Sequence, residues 1–314
     1  MAFYIARRLL ATVPVLFVLS VIVFLIIYLI PGDPAAVMLG DGASPETIEA
    51  LREQLGLNLP LLPQYARWVG HAFQGNLGDS FFMRQPVSEA LAEHLGPTFS
   101  LAVLAEIVAV AVAVPLGIRA ASRQGSLSDK ALTGFSLFGI TVPGFVLSMF
   151  TVLLFSVQLK WLPVSGYKPL SDGLWTHLKY LILPAVSLGI VQAALLARVT
   201  RASMLEAMNE SFVKTALAKG VSERGIVYKH VLRNALLPIL TVVGGSFGTL
   251  IAGAAVIESI FNIPGMRQML VNSVQRRDYA VIQGVVLFVA FAYVLVNLVV
   301  DLLYAAVDPR IRLK

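Results

Sequence analysis

Six predominantly apolar runs, at about 9–30, 97–119, 131–157, 178–198, 236–257 and 281–307, limit what this chain can fold into. A helix crossing about 30 Å of hydrocarbon needs roughly 20 mostly apolar residues. With no water to satisfy backbone N–H and C=O groups there, a segment that bonds to itself as a helix is the simplest solution. The runs therefore predict an all-α integral membrane protein with six transmembrane helices. Only 13% of the residues are charged, against roughly 25% in soluble domains. The chain has no cysteine, which excludes disulfides and thiolate metal sites. The first run exceeds a signal-peptide core and is followed by Pro31-Gly32-Asp33-Pro34 rather than a small-residue cleavage site, so it is expected to stay as the first span. Pro115, Pro143 and Pro184 fall inside the second, third and fourth runs. Such prolines are tolerated where neighbouring groups re-satisfy the freed carbonyls.

Charge placement predicts orientation. Most of the 24 Lys and Arg residues lie near the N-terminus, at 119–130, at 198–233 and in the last five residues. The positive-inside rule then puts both termini in the cytoplasm. Three segments follow: an N-terminal segment and first span at 1–30, an extracytoplasmic segment at 31–96, and a core at 97–314 with five spans and a polar loop at 199–235. In the extracytoplasmic segment a short helix is expected after Ser44, ending near Gly56. An amphipathic helix is expected over Leu61–Phe73, and a turn at GNLGDSF.

The polar loop contains the most unusual stretch, SMLEAMNESFVKTALAKGVSERGIVYKHVLRNALLP at 203–238. Ser203 and Glu206 fit a capping box. Met204, Met208, Phe212 and Ala216 recur every four residues and would share one helical face. Gly220 suits a left-handed helix stop, and Ser222 can cap a second helix running to Pro238. Two readings stay open on spacing alone. The unit is either a docking surface for another protein or an interfacial loop resting on anionic lipid. Nucleic-acid binding is not expected, because both ends run straight into spans and nothing frees the unit to enter a groove.

These residues carry a resemblance. TALAKGVSE followed by HVLRNALLP resembles the cytoplasmic loop of permease subunits of ABC importers for dipeptides, oligopeptides and nickel, of the B type. The likeness extends along the chain through RRLLATVPVLFVLSVIVF, PGDPA, LGLNLPLLPQYARWV, GNLGDSF, GITVPGFVLSMF, WLPVSGY, VIESIFNIPGM, RRDYAVIQG and VDPRIR. It implies the type I ABC importer permease fold, in a bacterial cytoplasmic (inner) membrane. It implies three kinds of partner besides membrane lipid: a second homologous permease, two cytoplasmic ATPase subunits and an extracytoplasmic substrate-binding protein. It further implies a coupling helix around Thr215–Glu223 docked in a groove of an ATPase, with Thr215, Ala216, Ala218, Lys219, Gly220, Val221, Ser222 and Glu223 as the coupling residues. Lys214 stands where the general importer motif has Glu, so that acid's contacts are not carried over. Peptide import is the implied function. Nickel or another metal chelate, glutathione and opine-like solutes are the alternatives.

Several other features have simpler structural roles. GGSFG at 244–248 matches the serine-hydrolase pattern, but it lies within an apolar helix-length run rather than a strand-to-helix elbow. Close packing through Gly244 and Gly248 is the expected role. Glu106 and Asp301 are ionisable groups within spans, where such groups default to functional candidates. A hydrogen bond to a neighbouring helix is expected for both. Ser246, Gly248, Gly253, Asn297 and Asp301 are candidates for the translocation path or its gate. His71, His94, His177 and His230 are scattered, without metal-ligand spacing, so no metal site is expected. There is no P-loop motif and no cofactor is expected in this chain. ATP and Mg would be held by the partner ATPases. A membrane enzyme is the distant rival, disfavoured by the lack of catalytic spacing.

Overall fold

The structure, a computed structural model, describes residues 2–29, 32–40, 42–253 and 255–307. Helix α1 is Ala2–Leu29, followed by short helices α2 (Pro34–Leu39), α3 (Pro45–Gln54) and α4 (Leu61–Phe73). Long helix α5 covers Val87–Ser122. Helices α6 (Leu127–Thr141) and α7 (Gly144–Thr151) follow, the latter continuing as π-turns over Val152–Gln158. Helix α8 is Leu174–Met208, and α9 is Ser211–Ala218. Helix α10 (Glu223–Gly225) leads through π-turns at Ile226–Val231 into α11 (Leu232–Gly253). Helices α12 (Ala255–Ile260), α13 (Met266–Arg276) and α14 (Tyr279–Val307) complete the chain. Among the described residues the only β pairing is an isolated bridge between Asp79 and Pro86. Five of the helices are long and apolar enough to cross a membrane, and the bent α6–α7 pair makes a sixth if it is one span. The fold is all-α, as the six runs predict.

Three spans differ from expectation in informative ways. The third run is not one helix. Its two halves meet at 101°. Pro143 disfavours α geometry at the residue before it, and Val142 is extended, with φ −81° and ψ 120°. The fourth run is continuous through Pro184 and extends past Ser203 to Met208. Ser203 and Glu206 therefore lie inside a helix and form no capping box. The second helix of the loop does not end at Pro238 but runs through it into the fifth span, as far as Gly253.

The chain divides into two compact units. In the unit containing Phe99–Ile263, α8 is the hub, packed by α6, α7 and α11. Its buried face is made of small residues, among them Ala185, Ser187, Gly189, Ala193, Ala194, Ala197 and Thr200. In a bilayer no hydrophobic force drives helices together, so close backbone approach through small residues supplies the contact. The approach leaves no room for a methyl group. A Cβ on Gly139 of α6 would lie 2.4 Å from the Ala194 Cβ. One on Gly117 of α5 would lie 2.6 Å from the Thr200 Cβ, and one on Gly189 would lie 2.7 Å from both the Ala105 carbonyl oxygen and the Val108 Cβ. Ser187 Oγ and Thr151 Oγ1 share a buried hydrogen bond of 3.0 Å, tying α7 to the same face.

The other unit comprises Ala2–Thr98 and Pro264–Val294. Ser44 caps α3 by accepting from the Thr47 N–H at 3.2 Å, and Gly56 ends the helix with φ 70°, both as expected. Amphipathic α4 packs on α1 through Tyr65 and Trp68 against Phe24. The Tyr28 hydroxyl donates to the buried Gln64 side chain, whose amide in turn donates to the Leu57 and Leu59 carbonyls at 3.1 and 2.6 Å. Two sequence motifs distant along the chain meet at Asp278, which is 1% exposed. Ser80 Oγ of GNLGDSF donates to its carboxylate at 2.5 Å, and the Val281 N–H at the start of α14 donates to the other oxygen at 3.5 Å. Gln283 Nε2 then donates to the Val23 and Phe24 carbonyls at 3.2 Å each, binding α14 to α1.

Gly189→Ala should lower the thermal unfolding midpoint of the purified protein in detergent, because overpacking costs about 1–3 kcal/mol. Gly134→Ala in α6, where the new Cβ meets nothing within 4 Å, should leave it unchanged or raise it through the better helix propensity of Ala, worth up to about 1 kcal/mol.

Candidate functional site

The unusual stretch at 203–238 forms a helix–turn–helix corner standing on the core. Helix α9 ends in a Schellman motif. The Gly220 N–H donates to the Leu217 carbonyl at 2.9 Å and the Val221 N–H to the Ala216 carbonyl at 3.1 Å. The motif requires a left-handed residue at its turn, and Gly220 supplies φ 76°. Ser222 Oγ then accepts from the Gly225 N–H at 3.3 Å, capping the next helix. The segment Thr215–Glu223, expected as a helix, is thus the last turn of one helix, a reversal and the first residue of another. A residue with φ > 0 at Gly220 and a new cap at Ser222 cannot belong to one continuous helix.

The expected apolar face is realised across a break. Met204 lies on α8 and Ala216 on α9, yet both are buried in one cluster with Ala207, Val213, Ile226 and Val231, with Met208, Phe212 and Val221 packed against it. The same cluster includes Ile118, Ala121 and Leu132 of α5 and α6. Among the coupling candidates, Ala216 is 8% exposed and Val221 half-buried, so they seat the corner rather than present a surface. Thr215, Ala218, Lys219, Gly220, Ser222 and Glu223 are exposed. Two residues not singled out from the sequence stand out here: Leu217 is 54% and Tyr228 62% exposed. Lys214, Lys219, Arg224 and Lys229 are exposed on the same corner, giving an apolar pair among basic side chains. No periodicity marks Leu217 or Tyr228, because their exposure depends on how α9 and the π-turns are seated.

A second missed feature braces this end. Arg201 on α8 makes a two-pronged pair with Asp129 at the start of α6: Nε donates to Oδ1, and Nη2 to Oδ2 at 2.9 Å. The Gly125 N–H also donates to Asp129 Oδ2 at 2.9 Å. The sequence signal available was a lone acid, Asp129, in the otherwise basic stretch Arg119–Lys130.

The third feature lies in the middle of the apolar runs. Ser246 on α11 donates to the Glu106 carboxylate on α5, with its Oγ 2.9 Å from each oxygen and equally 2.9 Å from the Val243 carbonyl. Glu106 is 8% exposed and lines an open cavity of about 440 Å³ with Val103, Ile107, Val110, Ala111 and Phe247. The expected hydrogen bond between Glu106 and a neighbouring helix is therefore present, donated by Ser246 of α11. Ser246 sits inside a helix rather than on an elbow, so its geometry is not that of a hydrolase nucleophile. Gly244 packs against α14, where a Cβ would lie 2.0 Å from Val300 Cγ2, which is the close approach expected of GxxxG. Gly248 is buried, and Gly253 is the last residue of α11, its surroundings lying outside the described residues. Asn297 is exposed and Asp301 half-buried on α14. The basic tail at 310–314 lies outside the described residues. Among the described residues no cluster of His, Asp or Glu could hold a metal ion. His177 is buried and its Nδ1 is 2.7 Å from the Lys168 carbonyl oxygen.

Apolar spans packed through small residues, with a braced polar corner at one end, define a polytopic α-helical membrane protein. The chain belongs to the family of binding-protein-dependent transport system inner membrane components, whose profile matches residues 113–313. The N-terminal profile of the same membrane components matches residues 1–102. It is 43% identical over 312 residues to a probable peptide ABC transporter permease protein, y4tP, of Sinorhizobium fredii, covering 99% of this chain and all of that one. It is 44% identical over 308 residues to a putative peptide transport system permease of Brucella abortus, covering 98% of each. A glutathione transport system permease, GsiC, of Shigella flexneri is 43% identical over 311 residues, covering 99% of each. Among solved structures, an inward-facing form of the MetNI methionine ABC transporter superposes with TM-score 0.54 at 15% identity, covering 69% of this chain and 96% of that one. That likeness establishes a shared fold, that of a type I importer permease. The chain is a multi-pass inner-membrane transport permease, and the relatives named are permeases rather than enzymes.

Asp129→Asn should lower the thermal unfolding midpoint in detergent, because it breaks the two-pronged pair and leaves the Arg201 guanidinium without its carboxylate. The double variant Asp129→Asn/Arg201→Met should recover part of that loss, since it no longer strands a cation. Strictly additive effects in the thermal midpoints would show that the two side chains do not act as a pair.

Proposed function

We propose that this chain is one permease half of an ATP-driven importer for peptide-class solutes, and that the corner at 215–223 is where the energy enters. The observation that carries the reading is mechanical. The corner is seated in the core cluster through Ala216, Val221 and Ile226, and it continues helically from Glu223 to Ile251 as one span-length segment. A push on it is passed to α11 and, through Met204 and Val231, to α8, without an intervening flexible link. Packed cores transmit displacement because they have little free volume.

In this reading the coupling loop at 199–235 and both termini face the cytoplasm. Two ATPase subunits supply ATP and Mg, a second homologous permease completes the path, and an extracytoplasmic binding protein delivers cargo. The exposed Leu217 and Tyr228, ringed by Lys214, Lys219, Arg224 and Lys229, fit an ATPase groove with an apolar floor and an acidic rim. Apolar anchors surrounded by polar side chains are the usual distribution of energy in such contacts. ATP binding draws the ATPases together, the corners follow, and the spans rock between outward-open and inward-open arrangements. Ser246, Gly248, Gly253, Asn297 and Asp301 line or gate the path. Peptide is the cargo class supported by the names of the relatives. Glutathione, a tripeptide, falls within that class and is the second reading, favoured by the glutathione permease among them. The ligand carried by the cognate binding protein distinguishes the two.

Leu217→Asp should leave the permease folded, because the side chain touches solvent, but should strip the ATPase subunits from the complex during purification. Gly220→Val faces open space and costs only the left-handed backbone, about 1–2 kcal/mol. It should uncouple ATP hydrolysis from uptake, as should Ala216→Arg, which forces a charge into the seat. Wild-type coupling ratios in all three variants would refute the docking role.

A further inference from the structure

Helix α4 presents three faces. At about 100° per residue, Leu62, Ala66, Val69 and Phe73 fall within about 60° of one another around its axis. Leu62 is 77% and Phe73 89% exposed, so this apolar face is largely uncovered. Arg67 and His71 are exposed on the far side. The remaining face, made of Gln64, Tyr65 and Trp68, rests on α1.

The order of those contacts fixes how α4 lies. The Tyr28 hydroxyl donates to Gln64. The Trp68 ring is 6.0 Å from that of Phe24, and the Tyr65 ring is 5.4 Å from Phe24 and 6.3 Å from Phe17. The Tyr65 hydroxyl is 2.7 Å from Ser20 Oγ. Turning about α4 from Gln64 through Trp68 to Tyr65 therefore descends α1 from Tyr28 through Phe24 to Ser20 and Phe17. The descent follows angle around α4 rather than position along it, so α4 lies across α1. Continuing the rotation past Tyr65 brings up Val69, Leu62, Phe73 and Ala66. The opposite rotation from Gln64 brings up His71 and Arg67.

The bilayer supplies the scale. Helix α1 is span-length over Leu10–Leu29, with Arg7 and Arg8 before that run and Asp33 after it. At about 1.5 Å per residue, Phe24 lies about 8 Å and Ser20 about 14 Å inside the Leu29 end. Amphipathic helices at a membrane surface sink their apolar face about 5–10 Å into the boundary of headgroups and acyl chains. Helix α4 meets α1 at that depth, with its apolar face toward the bilayer centre and its polar face toward water. Over the same depth α1 exposes Val18, Ile22 and Leu25, so acyl chains reach both helices. Just before α4, the Leu57 and Leu59 carbonyls accept from the buried Gln64 amide, a donor the protein supplies itself.

We propose that α4 is an interfacial helix half sunk in the leaflet at the Leu29 end of α1, with Leu62, Val69 and Phe73 against lipid acyl chains and Arg67 and His71 among the headgroups. Part of the segment read from the sequence as extracytoplasmic thus lies in the membrane plane, where α4 sets the height of the residues around it. The proposal rests on α1 crossing the membrane and not on what the permease carries.

The chain has no cysteine, so one introduced thiol carries one nitroxide spin label. The test uses the full chain, with whatever subunits purify with it, in vesicles of phosphatidylethanolamine and phosphatidylglycerol. Labels are placed through Leu62→Cys and Phe73→Cys on the apolar face, and through Arg67→Cys and His71→Cys on the polar face. All four side chains are exposed, so the packing on α1 stays intact, and Ala66→Cys replaces either apolar-face variant that fails to fold. Collisions of each label with oxygen, which concentrates in hydrocarbon, are compared with those of a water-soluble nickel chelate. Oxygen should dominate several-fold at the apolar-face positions, and the nickel chelate at the polar-face ones. Dominance of the nickel chelate at Leu62→Cys and Phe73→Cys would put that face in water and overturn the proposal. Few collisions with either reagent would show the face covered by protein, a second copy or a co-purifying subunit, and would overturn it equally.

Discussion

The close approach of α5, α6 and α7 to the small-residue face of α8 is the contact on which the unit around Phe99–Ile263 depends. Inside a bilayer, lipid tails compete equally for every Leu and Val, so helices gain by bringing backbones near one another. Gly117, Gly139 and Gly189 permit that approach, and a Cβ at any of them would stand 2.4–2.7 Å from its nearest neighbour. The helix propensity lost at each glycine is the cost of a packing geometry that larger residues cannot reach. With α8 so enclosed, Ser203, Met204 and Ala207 of its last turns are buried as its middle is, and they become the base on which the corner stands.

The corner and that base share one apolar cluster. The corner's outward face is made of exposed charge with Leu217 and Tyr228, while its inward face belongs to the core. The Asp129–Arg201 pair joins the start of α6 to α8 at the same end. The π-turns at Ile226–Val231 and Pro238 within α11 leave backbone carbonyls without their usual partners. The helix is locally adaptable there while staying continuous. An exposed apolar pair among basic side chains, a buried seat and a helix interrupted by π-turns and Pro238 occur within one stretch of about 50 residues.

Two buried acids differ in how their charge is served. In the other unit Asp278 is also buried, but its carboxylate accepts from the Ser80 hydroxyl, the Phe82 N–H and the Val281 N–H at the start of α14, so its charge is used locally. Glu106 has one hydroxyl and an apolar cavity. The difference in service, rather than the depth of burial, sets the two acids apart.

Much of this was legible in the chain. Long apolar runs announce spans because hydrocarbon tolerates little else, and Ser44, Gly56, Gly220 and Ser222 announce helix ends because caps and left-handed turns are local chemistry. The local signals failed where distant groups decided. Ser203 and Glu206 have the spacing of a cap, but burial against α5 and α6 makes continuation of α8 the better solution. Pro238 reads as a stop, yet α11 continues through it, packed on α8. Pro143 reads as a tolerable interruption, yet it separates two helices at 101°. The pairing of Glu106 with Ser246, 140 residues away, has no local signature at all. The sequence by itself determined that this is a six-run helical membrane protein with a glycine-hinged corner, because solvent preference and backbone conformation are properties of short segments. Only the tertiary structure decided which face of that corner is free and how each buried acid is served, because exposure and hydrogen-bond supply are set by whatever packs alongside.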